Sequence, residues 1–163
     1  MVTACLPRRG PSEAALPGVS TAGGPTHRAA ADAGPHGDAG IPADFHTSFA
    51  HVSKRFTSGG HAAGRFDVEI WANDAGAAAF AAERGEAPAG AMLIKEHFER
   101  DAQGKPGPTM MMEKRARGFD PPHGDWRYVV VTAAGEVVAD GAVPTCVGCH
   151  DDAPHDHLFK ALE

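Results

Sequence analysis

The chain has 163 residues, 42% hydrophobic and 22% charged, which are the proportions of one ordinary globular domain rather than two. No apolar run approaches the ~18 residues a bilayer-spanning helix needs, and a formal net charge of −6 offers no basic surface for phosphates, so nucleic acid is not expected as a partner. Three cysteines are too few for a disulfide scaffold.

Residues 1–40 hold none of the eight Phe, two Trp and one Tyr, and they are rich in Gly, Pro and Ala. A segment of that composition cannot bury enough apolar area to offset chain entropy. A disordered tail over 1–40 is therefore expected, followed by a folded domain over 41–163. Within the tail, Val2-Thr3-Ala4-Cys5 resembles the end of a bacterial lipoprotein signal. No charged or apolar stretch stands before it, so reading Cys5 as a lipid anchor requires a signal further upstream. A long flexible tail suits such a tether.

Beyond the tail, Pro42 opens a helical pattern with Phe45, Phe49, Val52 and Phe56 on one stripe, ended by Gly59-Gly60. Residues 65–72 alternate as a strand: Phe66, Val68 and Ile70 face one side, Arg65, Asp67 and Glu69 the other. Asn73 or Asp74 caps a short Ala-rich helix that stops at Gly85. Residues 91–98, 109–115 and 126–132 read as three further strands. The last turns through Ala133-Ala134-Gly135-Glu136 into Val137-Val138-Ala139 as a hairpin. After Pro144 comes a cysteine segment and then a short helix containing Leu158 and Phe159. This order predicts an α+β domain, mainly an antiparallel β-sheet with flanking helices.

Cys146-Val147-Gly148-Cys149-His150 has the C-x-x-C-H spacing that attaches haem c. Two thiols three positions apart on one helical turn reach the two vinyl groups of one porphyrin edge, and the next residue, His150, falls beneath the iron as an axial ligand. Two other readings compete. His155 and His157 could complete a Cys₂His₂ zinc site, and a lone C-x-x-C can be a redox dithiol, although the βαβ setting of such a dithiol is missing. Covalent haem requires export in bacteria, which agrees with the lipoprotein reading and predicts a periplasmic or membrane-tethered protein.

The sixth iron position decides between an electron carrier and a ligand-binding haem. Alternation along 109–115 places Met110 and Met112 on one face, where either could ligate or simply fill the core.

Several motifs taken in order resemble the cytochrome P-460 family: Ile70-Trp71-Ala72-Asn73-Asp74-Ala75, Gly90-Ala91-Met92-Leu93-Ile94-Lys95-Glu96, Met111-Met112-Glu113-Lys114, Gly124-Asp125-Trp126-Arg127-Tyr128, and the C-x-x-C-H with Asp156 and Phe159 after it. The resemblance covers about residues 43–163. It implies a mostly antiparallel β fold with flanking helices, usually dimeric, holding one haem c through Cys146, Cys149 and His150. One branch of that family cross-links a lysine to the porphyrin and oxidises hydroxylamine. The other, cytochrome c′-beta, has no cross-link and binds nitric oxide in a phenylalanine-lined pocket. Either branch implies small nitrogen-oxide ligands or substrates and a redox partner protein; a plain electron-transfer cytochrome is the further alternative.

Lys95 is the candidate cross-link, because an ammonium in an otherwise apolar strand is costly; the competing reading puts it on a solvated face. Lys114 comes second, since Glu113, Arg115 and Arg117 make its surroundings read as exposed. Glu96 or Glu113 is the candidate proton acceptor. Phe66, Phe80 and Phe98 are candidates for an apolar distal wall, and Arg127 for pairing with a haem propionate.

Overall fold

The computed structural model describes residues 40–101 and 104–160, so the proposed tail and Cys5 lie outside the described residues. The elements in order are α1 (Phe45–Ser48), β1 (Ala50–His51), β2 (Phe56–Thr57), β3 (Phe66–Ala72), α2 (Asp74–Ala81), β4 (Met92–Glu99), β5 (Pro106–Lys114), β6 (Trp126–Val131), β7 (Val137–Gly141) and α3 (Pro144–His150). Seven strands form one sheet in the order β1-β3-β4-β5-β6-β7, with β2 also paired to β3, and every pairing is antiparallel. The expected α+β class holds.

Two expected elements differ. The helix starting near Pro42 stops at Ser48, and the chain then runs along the edge of the sheet. Ala50 pairs with Ala72 and Phe56 with Val68, while the Val52 N–H donates to the Ile70 carbonyl and the Ile70 N–H to Ser53 Oγ. An exposed strand edge offers unpaired backbone groups, and meeting them outweighs a weak local helical stripe built on aromatic and β-branched residues. The helix expected around Leu158 is instead a turn closed by a bridge between His155 and Leu158.

Period-two alternation decides what each face of the sheet carries. On one face Ile70, Ala72, Leu93, Trp126 and Tyr128 are buried against Ala79 of α2 and Val147 of α3. On the other face Met92, Ile94, Met111 and Val129 are buried under Phe45 of α1. The sheet therefore separates two cores, and the cysteine helix belongs to only one of them.

Asn73 sets the strand-to-helix junction. Its Oδ1 accepts from the Gly76 and Met92 N–H groups at 2.8 and 3.0 Å, and its Nδ2 donates to the Gly90 carbonyl at 2.8 Å. One side chain thus caps α2 and ties it to the start of β4. A Cβ on Gly76 would run into the Met92 carbonyl, so only glycine lets α2 approach this closely.

Candidate functional site

Pro144 at the first turn starts α3, which lies across the sheet with Val147 buried against it. Cys146 packs at the edge of the same core. His150 ends the helix, its ring 5.4 Å from that of Tyr128 and 5.5 Å from that of Phe159. The His150 Nδ1–H donates to the His157 carbonyl at 2.7 Å, because a carbonyl only accepts. That bond fixes the tautomer and leaves the Nε2 lone pair for a metal, the arrangement metal-ligating histidines adopt. Burial lowers the His150 pKa and so disfavours the charged ring.

The carbonyl that orients His150 comes from a turn held by Asp156. Asp156 and His157 both have left-handed backbones, with φ of 39° and 62°. The Asp156 carboxylate accepts from Lys114 Nζ at 2.8 and 3.0 Å and from the Ala87 N–H at 2.7 Å; its carbonyl accepts from the Trp126 indole at 3.0 Å. Both ion-pair partners are buried, with side chains 8% and 5% exposed. The exposed neighbourhood expected for Lys114 is therefore a buried anchor, because β5 alternation turns Lys114 inward beside Trp126.

Lys95 lies on the same face as α3, opposite Ile70 on β3 and Met110 on β5. Its Nζ donates to Ser58 Oγ at 3.1 Å and sits 5.8 Å from the centre of the Phe56 ring. Burial lowers its pKa from 10.5 to about 8. Lys95, His61, His97 and His150 are close enough that the charge of Lys95 depresses the pKa of all three histidines. Met112 follows Met110 on this face and packs against its core, as do Phe56 and Phe80.

The other candidates lie elsewhere. Glu96 points to the opposite face, where it accepts from the Trp71 indole and pairs with His46, both at 2.9 Å. Glu113 is on that face too, bonded to Arg127 at 2.9 Å and Arg115 at 3.0 Å. Arg127 also grips Asp140 through two bonds of 2.6 and 2.8 Å, which raise its pKa above the usual guanidinium range. Phe66 is on the α3 face, edge-on to His97, whereas Phe98 stacks under Arg55. The fold brings Cys146, Cys149, His150 and Lys95 to one side of the sheet and leaves Glu96, Glu113 and Arg127 on the other.

A buried imidazole pair occupies the Lys95 face: His97 Nδ1–H donates to the Pro108 carbonyl at 2.8 Å, and His61 Nδ1 lies 2.9 Å from His97 Nε2. Sequence reasoning singled out neither residue. Alternation does signal His97, two positions after Lys95 on the same strand. Desolvation, reinforced by Lys95, lowers His61 from 6.5 to about 3 and His97 from 6.5 to about 4. The unfolded chain therefore takes up these protons first as pH falls, and stability present above pH 6.5 is lost progressively toward pH 4 and below. The expected result is a urea midpoint that drops over this acid range, with a shallower drop in the His61→Gln/His97→Gln double variant.

Two observations bear on whether this face suits a haem. Among the described residues no group of three or more His, Cys, Asp and Glu side chains is arranged to hold a metal ion, so the Cys₂His₂ zinc set is not assembled. The Tyr128 hydroxyl, beside His150, is buried with no hydrogen-bond partner among the described residues. An orphaned hydroxyl is costly unless a polar group reaches it, and a carboxylate of a bound haem would supply one. The residues fit. The family model Cytochrome P460 matches residues 42–160 of the chain. No curated protein matches it.

Proposed function

Since the chain belongs to the cytochrome P460 family, a family of c-type haem cytochromes, we propose that it holds one haem through Cys146, Cys149 and His150 and oxidises hydroxylamine. When bound, the haem supplies an iron that takes a small nitrogen ligand and a store for its electrons. The chain supplies the rest. His157 and Asp156 hold His150 Nε2 in one direction, and the side chains of β3, β4 and β5 keep water from the face they share. A redox partner protein takes the electrons onward, and the thioether chemistry implies an exported, periplasmic location. Cys5 would supply the lipid tether, and a homodimer is the expected assembly.

The observation that carries this reading is the position of Lys95, on the face of His150 and with its ammonium destabilised by burial. An amine whose pKa lies at about 8 holds far more free base near neutral pH than an exposed lysine, which suits it to replace the hydrogen on a porphyrin carbon, a substitution that releases two protons and passes two electrons to an external oxidant such as peroxide. The test is mass analysis of the digested holoprotein. The expected result is a Lys95 peptide joined to haem in addition to the Cys146–Cys149 peptide, and absorption bands that shift in Lys95→Arg. Haem carried on the two cysteines alone, with an unchanged Lys95→Arg spectrum, would instead favour the nitric-oxide-binding reading.

A further inference from the structure

His61 and His97 form a directed chain. A carbonyl can only accept, so His97 must carry its proton on Nδ1, facing Pro108, and its Nε2 must be the acceptor in the 2.9 Å contact with His61. His61 then carries its own proton on Nδ1. Its remaining ring nitrogen, Nε2, is left with a lone pair, no proton and no partner among the described residues. The backbone holds this arrangement in place. Ala62 and Ala63 follow with φ of 50° each, a conformation that costs a residue with a Cβ and persists only where the surroundings enforce it. Phe66 packs edge-on against His97, and a Cβ on Gly107 would strike both rings' residues, so neither the strand nor the imidazole has room to shift.

We infer that His61 selects among the ligands of the haem: its Nε2 accepts a hydrogen bond from a small molecule that carries N–H or O–H, of the hydroxylamine class, and offers nothing to nitric oxide. No proton changes hands; the ligand's hydrogen stays on the ligand and is shared with Nε2. The low pKa values of both rings agree with this, since a protonated His61 would be a donor and would reverse the preference. The inference rests on the haem reading above, and it adds the residue that sets the preference for hydroxylamine over nitric oxide.

The experiment measures equilibrium binding of hydroxylamine and of nitric oxide to the purified ferric holoprotein, by optical titration. His61→Leu is expected to weaken hydroxylamine by about three- to tenfold, the worth of one net hydrogen bond, and to leave nitric oxide within about twofold. His97→Gln, which keeps an acceptor for His61 Nδ1–H, is expected to preserve the preference. A second readout does not depend on either ligand: nitrogen NMR of the diamagnetic ferrous carbonyl form should find His61 protonated on Nδ1. A His61 protonated on Nε2, or affinities that fall together or do not move, overturns this inference alone. A chain without haem, or a haem that binds neither molecule, overturns the functional reading and this inference with it.

Discussion

Asp156→Ala will lower the stability of the fold by about 3–5 kcal/mol, because it strands the buried ammonium of Lys114 and frees the Ala87 N–H. The measurement is a urea unfolding curve, in which the midpoint should fall with little change in slope. Lys114→Met should cost a similar amount by stranding the carboxylate. The double variant Lys114→Met/Asp156→Leu should recover much of the loss, since replacing a buried ion pair by apolar residues of similar volume is often close to neutral. If both single variants unfold with the wild-type midpoint, the pair is not the anchor its geometry implies. The effect should also reach the site, because Asp156 sits next to the residue whose carbonyl holds His150. Asp156→Ala holoprotein should therefore show a broader, more heterogeneous iron spectrum than wild type.

His150→Ala should abolish the native absorption spectrum and sharply cut the yield of covalent haem. Outer partners of a metal-bound histidine alone are worth about 10–100-fold in metal affinity, and removing the ligand itself should exceed that. Thioether bonding does not itself require His150, so a small fraction of covalently attached haem is expected. A His150→Ala protein with wild-type yield and spectrum would show that the axial ligand is another residue. The surroundings of His150 would suit it to that role: Tyr128 and Phe159 flank the ring, and the His157 carbonyl accepts a hydrogen bond from its Nδ1–H.

Much of the sheet was legible because its signals are local. The alternation of Phe66, Val68 and Ile70 and the cap at Asn73 each act over a few residues, and tertiary packing reinforces rather than overrides them. The segment from Phe49 to Phe56 was misread because its apolar spacing fits a helix, while the groups it satisfies belong to β3, over ten residues away. Lys114 looked exposed because its sequence neighbours are charged, although Glu113 and Arg115 point away from it across the strand and pair with each other. Glu96 and Lys95 are adjacent in sequence and therefore lie on opposite faces. Knowing that they part is elementary; knowing which of them faces α3 is not.

The sequence by itself determined that α3 would present two sulfurs and an imidazole on one turn, since C-x-x-C-H depends only on helical geometry. It also determined the family, whose model matches residues 42–160. Only the tertiary structure decided which strand residues share that helix's side of the sheet. Lys95, His61 and His97 do, and Glu96, Glu113 and Arg127 do not. The physical reason is that alternation sorts a strand into two faces without labelling them. The label comes from which helix each face buries, and that depends on one core gathering residues such as Leu93 and Val147, more than fifty positions apart in the chain.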